Sequence, residues 1–460
     1  MTVSILWFRR DLRIHDNAAL QWVCDNSTQV IPIYIHSLQE EKPWQPGAAS
    51  RWWLHNSLLA LEKKLADHGL RLKYFCGESE TVISKIIEET NASSLVYNRL
   101  YEPHLHKRDL SIEKKLQKII EVLPFENSLF FAPGSILNNQ QLPYRVFTPF
   151  YKKIRPLLTP GHVEHDSASL ASGLKSLKDV AVSSAQSLIS LNLLDEPNWH
   201  EKLHSHWRPG EDHAFELLDA FIDDAISHYD VERDIPSIEA TSRLSPYLHF
   251  GEITAQQICH SIWPLLEGQR DSKTAQSAEV FLKQLVWREF AHNVLWHFPE
   301  TATEPMDKRY KKSFWRSSKR DYHAWTKGET GIPIIDAGMK QLWETGWMHN
   351  RVRMIVSSFL TKNLGLNWLQ GANWFWDTLV DADLANNSLG WQWVAGCGVD
   401  AAPYYRVFNP NTQTKRFDSN FIYINTWLPE HNELDYPQPM IDLASSRDQA
   451  LDRYKQNISS

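Results

Sequence analysis

Two carboxylates one residue apart, in Asp381-Ala382-Asp383, are followed by the amides of Asn386 and Asn387 and the indoles of Trp391 and Trp393. Paired carboxylates commonly bind metals or transfer protons. Here no His or Cys stands at ligand spacing, so no metal is expected, and the nearby Gly390, Gly396 and Gly398 suit a surface turn just as well. Thr241, Ser242, Arg243, Leu244 and Ser245 gather hydroxyls, backbone donors and one guanidinium ahead of a helical run. That composition suits a phosphate at a helix N-terminus, and equally an ordinary N-cap. Residues 308–320 hold seven Lys or Arg, with Tyr310, Phe314 and Trp315 between them. Such a stretch either tracks a phosphate backbone or forms a solvated loop. Asn350, Arg351, Arg353 and Met354 open a helical pattern that could line a polar pocket with an apolar floor.

Two kinds of structure in succession must position these groups. Apolar runs at residues 3–8, 30–35, 70–75 and 95–97 read as buried strands, and between them Leu54, Leu58, Leu61 and Leu65 repeat at helical spacing until Gly69 stops the helix. Strands alternating with helices imply a parallel sheet covered on both faces. Residues 167–190 hold eight serines and no aromatic residue, which is a linker composition, expected to run over the surface between domains with a short helix. Helical patterns then dominate at 214–229, 278–298, 334–345 and 351–364. The expected fold class is α/β plus all-α: a parallel-sheet α/β domain over 1–132, a linker over 133–208 and a helical domain over 209–460.

Composition removes several functions. A net charge of -7 excludes wholesale polyanion binding, so any nucleic-acid contact must use a local basic patch. No apolar stretch is long enough to span a membrane and the N-terminus reads as a strand carrying Arg9, Arg10 and Arg13, so a cytoplasmic address is expected. Cys24, Cys76, Cys259 and Cys397 lie too far apart for a zinc module, a redox pair or a disulfide framework. The usual dinucleotide, P-loop, zincin and hydrolase motifs are missing. Of 20 tryptophans, most lie in the C-terminal half, more than core filling alone would place there.

The motifs in their order resemble the photolyase and cryptochrome family over nearly the whole chain. The residues carrying the resemblance are Trp7-Phe-Arg-Arg-Asp-Leu-Arg13, the Thr241–Pro246 segment, Trp287-Arg-Glu-Phe290, Gly346-Trp-Met-His-Asn-Arg351, and Ala401-Ala-Pro-Tyr404 through Phe408-Asn-Pro410. The resemblance implies FAD in the helical domain, at the floor of a cavity that receives a flipped-out lesion from UV-damaged DNA. By similarity, Tyr229, Thr241, Ser242, Arg243, Leu244 and Ser245 hold phosphates, while Phe281, Gln284, Arg288, Trp347, Asn350, Arg353, Asp381, Ala382 and Asp383 surround the cofactor. Asn387 falls beside flavin N5, where an amide oxygen can accept a hydrogen bond. Trp391, Trp368 and Trp315 match the family's electron-carrying chain. Trp287 and Trp393 would stack on the lesion, Asn350, Arg351 and Gln284 would hydrogen-bond it, Met354 would touch it, and Arg233 and Arg406 would bind phosphate. The implied reaction is light-driven repair of cyclobutane pyrimidine dimers by a monomer with no obligate protein partner and no membrane.

One position departs from the family pattern. Gln284 stands where bacterial dimer photolyases usually carry a glutamate, and Gln is what (6-4) photolyases carry there. Those enzymes also need two histidines, at positions that here hold Asn350 and Met354, neither of which is an acid near neutral pH. Dimer repair therefore ranks first, (6-4) repair second, and blue-light signalling is the alternative from another class. The resemblance also implies an antenna pigment in the α/β domain, methenyltetrahydrofolate or a deazaflavin.

Overall fold

The computed structural model describes residues 2–126, 129–160, 167–194, 199–268, 272–310, 312–401 and 405–457. Strands β1 (Val3–Phe8), β2 (Gln29–His36), β3 (Lys73–Cys76), β4 (Ser94–Asn98) and β5 (Glu121–Phe125) form a parallel sheet in the order β3-β2-β1-β4-β5. β1, β2 and β4 are buried almost throughout, as near-continuous apolar runs require when helices cover both faces. β5 was not expected from the sequence: Glu121-Val-Leu-Pro-Phe125 is half-buried, carries a proline and lies at the sheet edge, where a missing N–H is tolerated.

The serine-rich stretch behaves differently from a simple surface linker. Its helix Ser167–Ser176 packs on the helix Ala18–Asn26, with Gly173 so close to Cys24 that a Cβ would collide. It then forms β6 (Lys178–Asp179), which pairs parallel with the first residues of β2. The chain thus returns to the sheet before it enters the helical region.

Beyond β6 the described residues contain helices and loops but no strand. The 25-residue helix Lys273–His297 is the axis of this region, started by Ser272, whose side chain accepts from the Ala275 N–H, and packed against the helices Ala255–Glu267 and Leu384–Ala395. The expected helices at 214–229 and 351–364 are present but interrupted by the π turns Phe221–Ala225 and Phe359–Asn363. One apolar core runs through both halves of the chain: Trp53, fully buried on the helix Ala48–Ala66, packs on Trp207, Tyr247 and Phe250 of the helical region. No helix of the described residues is long and apolar enough to cross a membrane.

Candidate active site

A cavity of about 470 Å³ opens in the helical region, a size in the usual ~300–1,000 Å³ range of ligand pockets. The helix Lys273–His297 presents Gln284 and Trp287, three residues apart and therefore on one face. The helix Asn350–Ser358 presents Asn350, Arg351, Arg353, Met354 and Ser357. Asp381, Ala382 and Asp383 lead into the helix Leu384–Ala395, which adds Asn387 and, one turn on, Trp391, followed by Trp393. Arg233 and Asp234 close the rim after the short helix Tyr229–Glu232.

The two carboxylates are held differently. Asp381 Oδ2 accepts from Arg353 Nη2 at 2.9 Å and from Ser245 Oγ at 2.7 Å, while its Oδ1 is buried with no partner among the described residues. Asp383 caps the helix Leu384–Ala395 through the Asn386 N–H, and His249 Nδ1 and His292 Nε2 each lie 3.5 Å from its Oδ2. Burial opposes its ionisation, but the two imidazoles outweigh burial and hold the Asp383 carboxyl well below the usual range. Neither carboxylate needs a metal in this setting.

The remaining wall is equally specific. Gln284 Oε1 accepts from Arg233 Nη2 at 3.1 Å and its Nε2 donates to the Val280 carbonyl at 3.0 Å, which leaves one amide N–H for a ligand. Trp287 stacks on Phe147 with ring centroids 3.8 Å apart and planes 6° from parallel, so its other face is the one available to a ligand. Asn387 Nδ2 donates to the Ala372 carbonyl at 3.0 Å, which orients the amide and leaves its oxygen as acceptor. Trp391 is buried at the cavity with its Nε1 unpartnered, and an added Cβ at Gly371 would collide with its ring.

Other expected residues lie behind the wall. Tyr229 and Phe281 pack edge to face at 5.3 Å, and Leu244 is core. Ser242 Oγ accepts from the Leu244 N–H, and Arg243 adopts φ 53°, its guanidinium lying over the rings of Trp207 at 4.8 Å and Trp347 at 5.0 Å. Thr241 opens this loop, half-buried, and Ser245 ties it to the cavity through Asp381. Arg288 donates to the Leu248 carbonyl at 3.3 Å. Trp368 is buried and Trp315 half-buried beside Tyr310 and Phe314. Trp391 makes ring contacts with Phe375 at 5.0 Å and with Trp325 at 6.1 Å; the sequence reading singled out neither.

Three further expectations concern places outside this cavity. The basic stretch 308–320 lies outside the cavity wall, and three of its seven basic residues have acidic partners: Lys308 pairs with Glu304, Arg309 with Asp307, and Arg316 with Asp321 and the Leu364 carbonyl. Arg406 lies in a separate recess of about 20 Å³ beside Trp393 and Lys362, not in the large cavity. The crevice beyond the carboxyl ends of β1 and β2, where open α/β sheets bind ligands, has a volume of only about 40 Å³. The ion pairs Arg10–Glu102 and Arg108–Asp109 stand at it, and a folate or deazaflavin does not fit there as the side chains stand. Ala402, Pro403 and Tyr404 of the expected motif lie outside the described residues. Sequence reading also missed Asp234, Phe147 and the His249–His292 pair, which lie far apart in the chain and meet the site only through the fold.

A deoxyribodipyrimidine photo-lyase of Agrobacterium fabrum is 38% identical to this chain, the match covering 98% of this chain and 97% of that protein. This chain belongs to the DNA photolyase and cryptochrome family. In this photolyase-family protein, residues 4–169 match the family profile described as DNA photolyase, and residues 281–435 match that of the FAD binding domain of DNA photolyase. The crystal structure of a class III photolyase from Agrobacterium tumefaciens superposes with a TM-score of 0.91 at 37% identity, covering 100% of this chain and 98% of that one. Cryptochrome-2 of Arabidopsis thaliana is 35% identical over 93% of this chain and 70% of its own length, so the likeness extends to both branches of the family.

The cavity fits the family's cofactor. The unpartnered Asp381 Oδ1 and Trp391 Nε1, an acceptor and a donor buried at a site of this size, call for a ligand carrying complementary groups.

Proposed function

We propose that this photolyase-family protein repairs cyclobutane pyrimidine dimers in DNA under blue light. The observation that carries this reading is the make-up of the cavity wall: three tryptophans, a methionine, guanidiniums and amides line it, and no histidine of the described residues does. A (6-4) repair reaction needs a proton donor at the lesion, and none of the residues that line the rim beside Asn350 and Met354 supplies an imidazole.

Bound reduced FAD supplies, on excitation, the electron that opens the dimer ring and receives it back. The chain's own residues do the rest. Asp381, locked by Arg353 and Ser245, and Asp383, whose carboxyl is held well below its usual range beside two imidazoles, would accept hydrogen bonds from the cofactor. Asn387 offers an oriented amide oxygen. Trp287, backed by Phe147, and Trp393, whose Nε1 donates to the Asp400 carbonyl at 3.2 Å, are faces against which an extruded pyrimidine dimer can stack. Met354 closes the apolar side and excludes water. Trp391 receives an electron demand from the cavity and passes it outward, with Trp368 and Trp315 as the following members of the chain.

The test uses reduced holoprotein, blue light and two oligonucleotides, one with a cyclobutane dimer and one with a (6-4) product, with dark controls. Light-dependent loss of the cyclobutane dimer is expected. Loss of the (6-4) product alone would overturn the reading in favour of the second repair chemistry, and loss of neither by protein whose FAD is photoreducible would assign a signalling role.

A further inference from the structure

Three guanidiniums line the cavity, and their partners differ. Arg353 is matched by Asp381, and Arg351 Nη2 lies 2.6 Å from Asp234 Oδ2, with its guanidinium 4.4 Å from the Phe417 ring. Arg233 has as its side-chain hydrogen-bond partner the neutral amide of Gln284 and lies 5.2 Å from the Tyr229 ring. A glutamate at 284 would set a second carboxylate against this pair of rim arginines. The glutamine holds Arg233 in place and leaves its charge unmatched, whereas Asp234 cancels the charge of Arg351 at the same rim.

We infer that Asp234 and Gln284 together set the positive charge that the cavity rim offers to a DNA backbone: Asp234 restrains binding through Arg351, and Gln284 preserves it through Arg233. The inference rests on the proposed action on DNA. The chain as a whole carries a charge of -7, so its attraction to DNA depends on such local charges. Plain duplex is held mainly by phosphate neutralisation, while an extruded lesion adds stacking and burial in the cavity. Excess rim charge would therefore favour the vast number of undamaged sites, and Asp234 is a specificity-determining residue by this argument.

The experiment measures the affinity of holoprotein for an undamaged duplex and for the same duplex with one cyclobutane dimer, across about 50–200 mM salt. Asp234→Asn is expected to tighten binding to undamaged duplex several-fold and to steepen the dependence of log affinity on log salt by about 0.9, the value of one additional phosphate contact. Gln284→Glu is expected to do the reverse, so the two variants move in opposite directions from the parent, and bound flavin absorbance reports that each is folded. Equal salt slopes for all three proteins would overturn the inference while leaving the DNA reading intact. A parent that binds neither duplex in a salt-dependent way would overturn the DNA reading and, with it, the inference.

Discussion

Trp391 has a single packing solution. Gly371 lets the helix Trp368–Thr378 pass against its ring, Phe375 and Trp325 flank it, and its indole N–H is left for the cavity. A buried indole held by such close packing suits electron passage, because little reorganisation of its surroundings is available to it. Trp391→Phe is expected to slow light-driven reduction of the bound flavin roughly tenfold or more, while repair by chemically reduced protein stays within about twofold of the parent. Equal photoreduction rates in mutant and parent would remove Trp391 from the electron path. At this scale the residues taken alone suited a surface turn as well as a site, and it was the family resemblance that grouped Asp381, Asp383, Asn387 and Trp391, which do share one wall. The partners that tune them were not. Asp383 is paired with His249 and His292, and no local pattern announces a contact across 134 and 91 residues of chain.

Elements were read with uneven success for physical reasons. β1 matches the expected run 3–8, and β2 and β4 extend theirs by a residue at each end, because strands buried on both faces must be apolar throughout. β5 and β6 are too short, polar or half-exposed for that signal. The helix Phe147–Ile154 falls within the stretch 133–208 that the sequence marks as a linker. Phe147 stacks beneath Trp287, and Phe150 packs on Phe290 at 5.3 Å, so this helix backs the Trp287 wall of the cavity from outside the helical region. Phe147→Ala removes a buried ring and is expected to cost about 3–5 kcal/mol of stability, read by denaturant unfolding. Its stronger signature is functional: affinity for dimer-containing DNA should fall, with FAD content unchanged. A variant that unfolds more easily but binds the lesion as well as the parent would show that Trp287 needs no support.

For the whole molecule, the decisive contact is a buried carboxyl between the two halves of the chain. Glu252 is fully buried, accepts from Trp53 Nε1 at 3.0 Å and from Ser57 Oγ, and burial pushes its carboxyl up to about 8. The folded protein therefore holds a proton that the unfolded chain, with an ordinary value of 4.5, releases. Stability from this group is complete below about pH 4.5, declines as pH rises and is gone above about 8, since the folded state binds the extra proton only in that window. Glu289 adds to the same trend: burial raises its carboxyl to about 7, where it accepts from the backbone N–H groups of Phe130 and Phe131. The melting temperature is expected to drop between about pH 4.5 and 8, and Glu252→Gln, which mimics the protonated form, should flatten that drop. Parallel pH profiles for parent and variant would mean that the carboxyl is ionised in the folded protein.

Trp53 and Glu252 are 199 residues apart. A ribosome adding roughly 5–20 residues per second needs roughly 10–40 s to cover that distance. Throughout that interval the indoles of Trp52 and Trp53 have no helical region to cover them, although the sheet that carries their helix can already close once β6 has emerged. Counted from β6, about 73 residues must still be added before Glu252, so the nascent chain spends roughly 4–15 s as a finished sheet with a large apolar face open to solvent. Chaperone supply and translation speed, more than the stability of the final fold, should then govern how much functional protein a cell obtains.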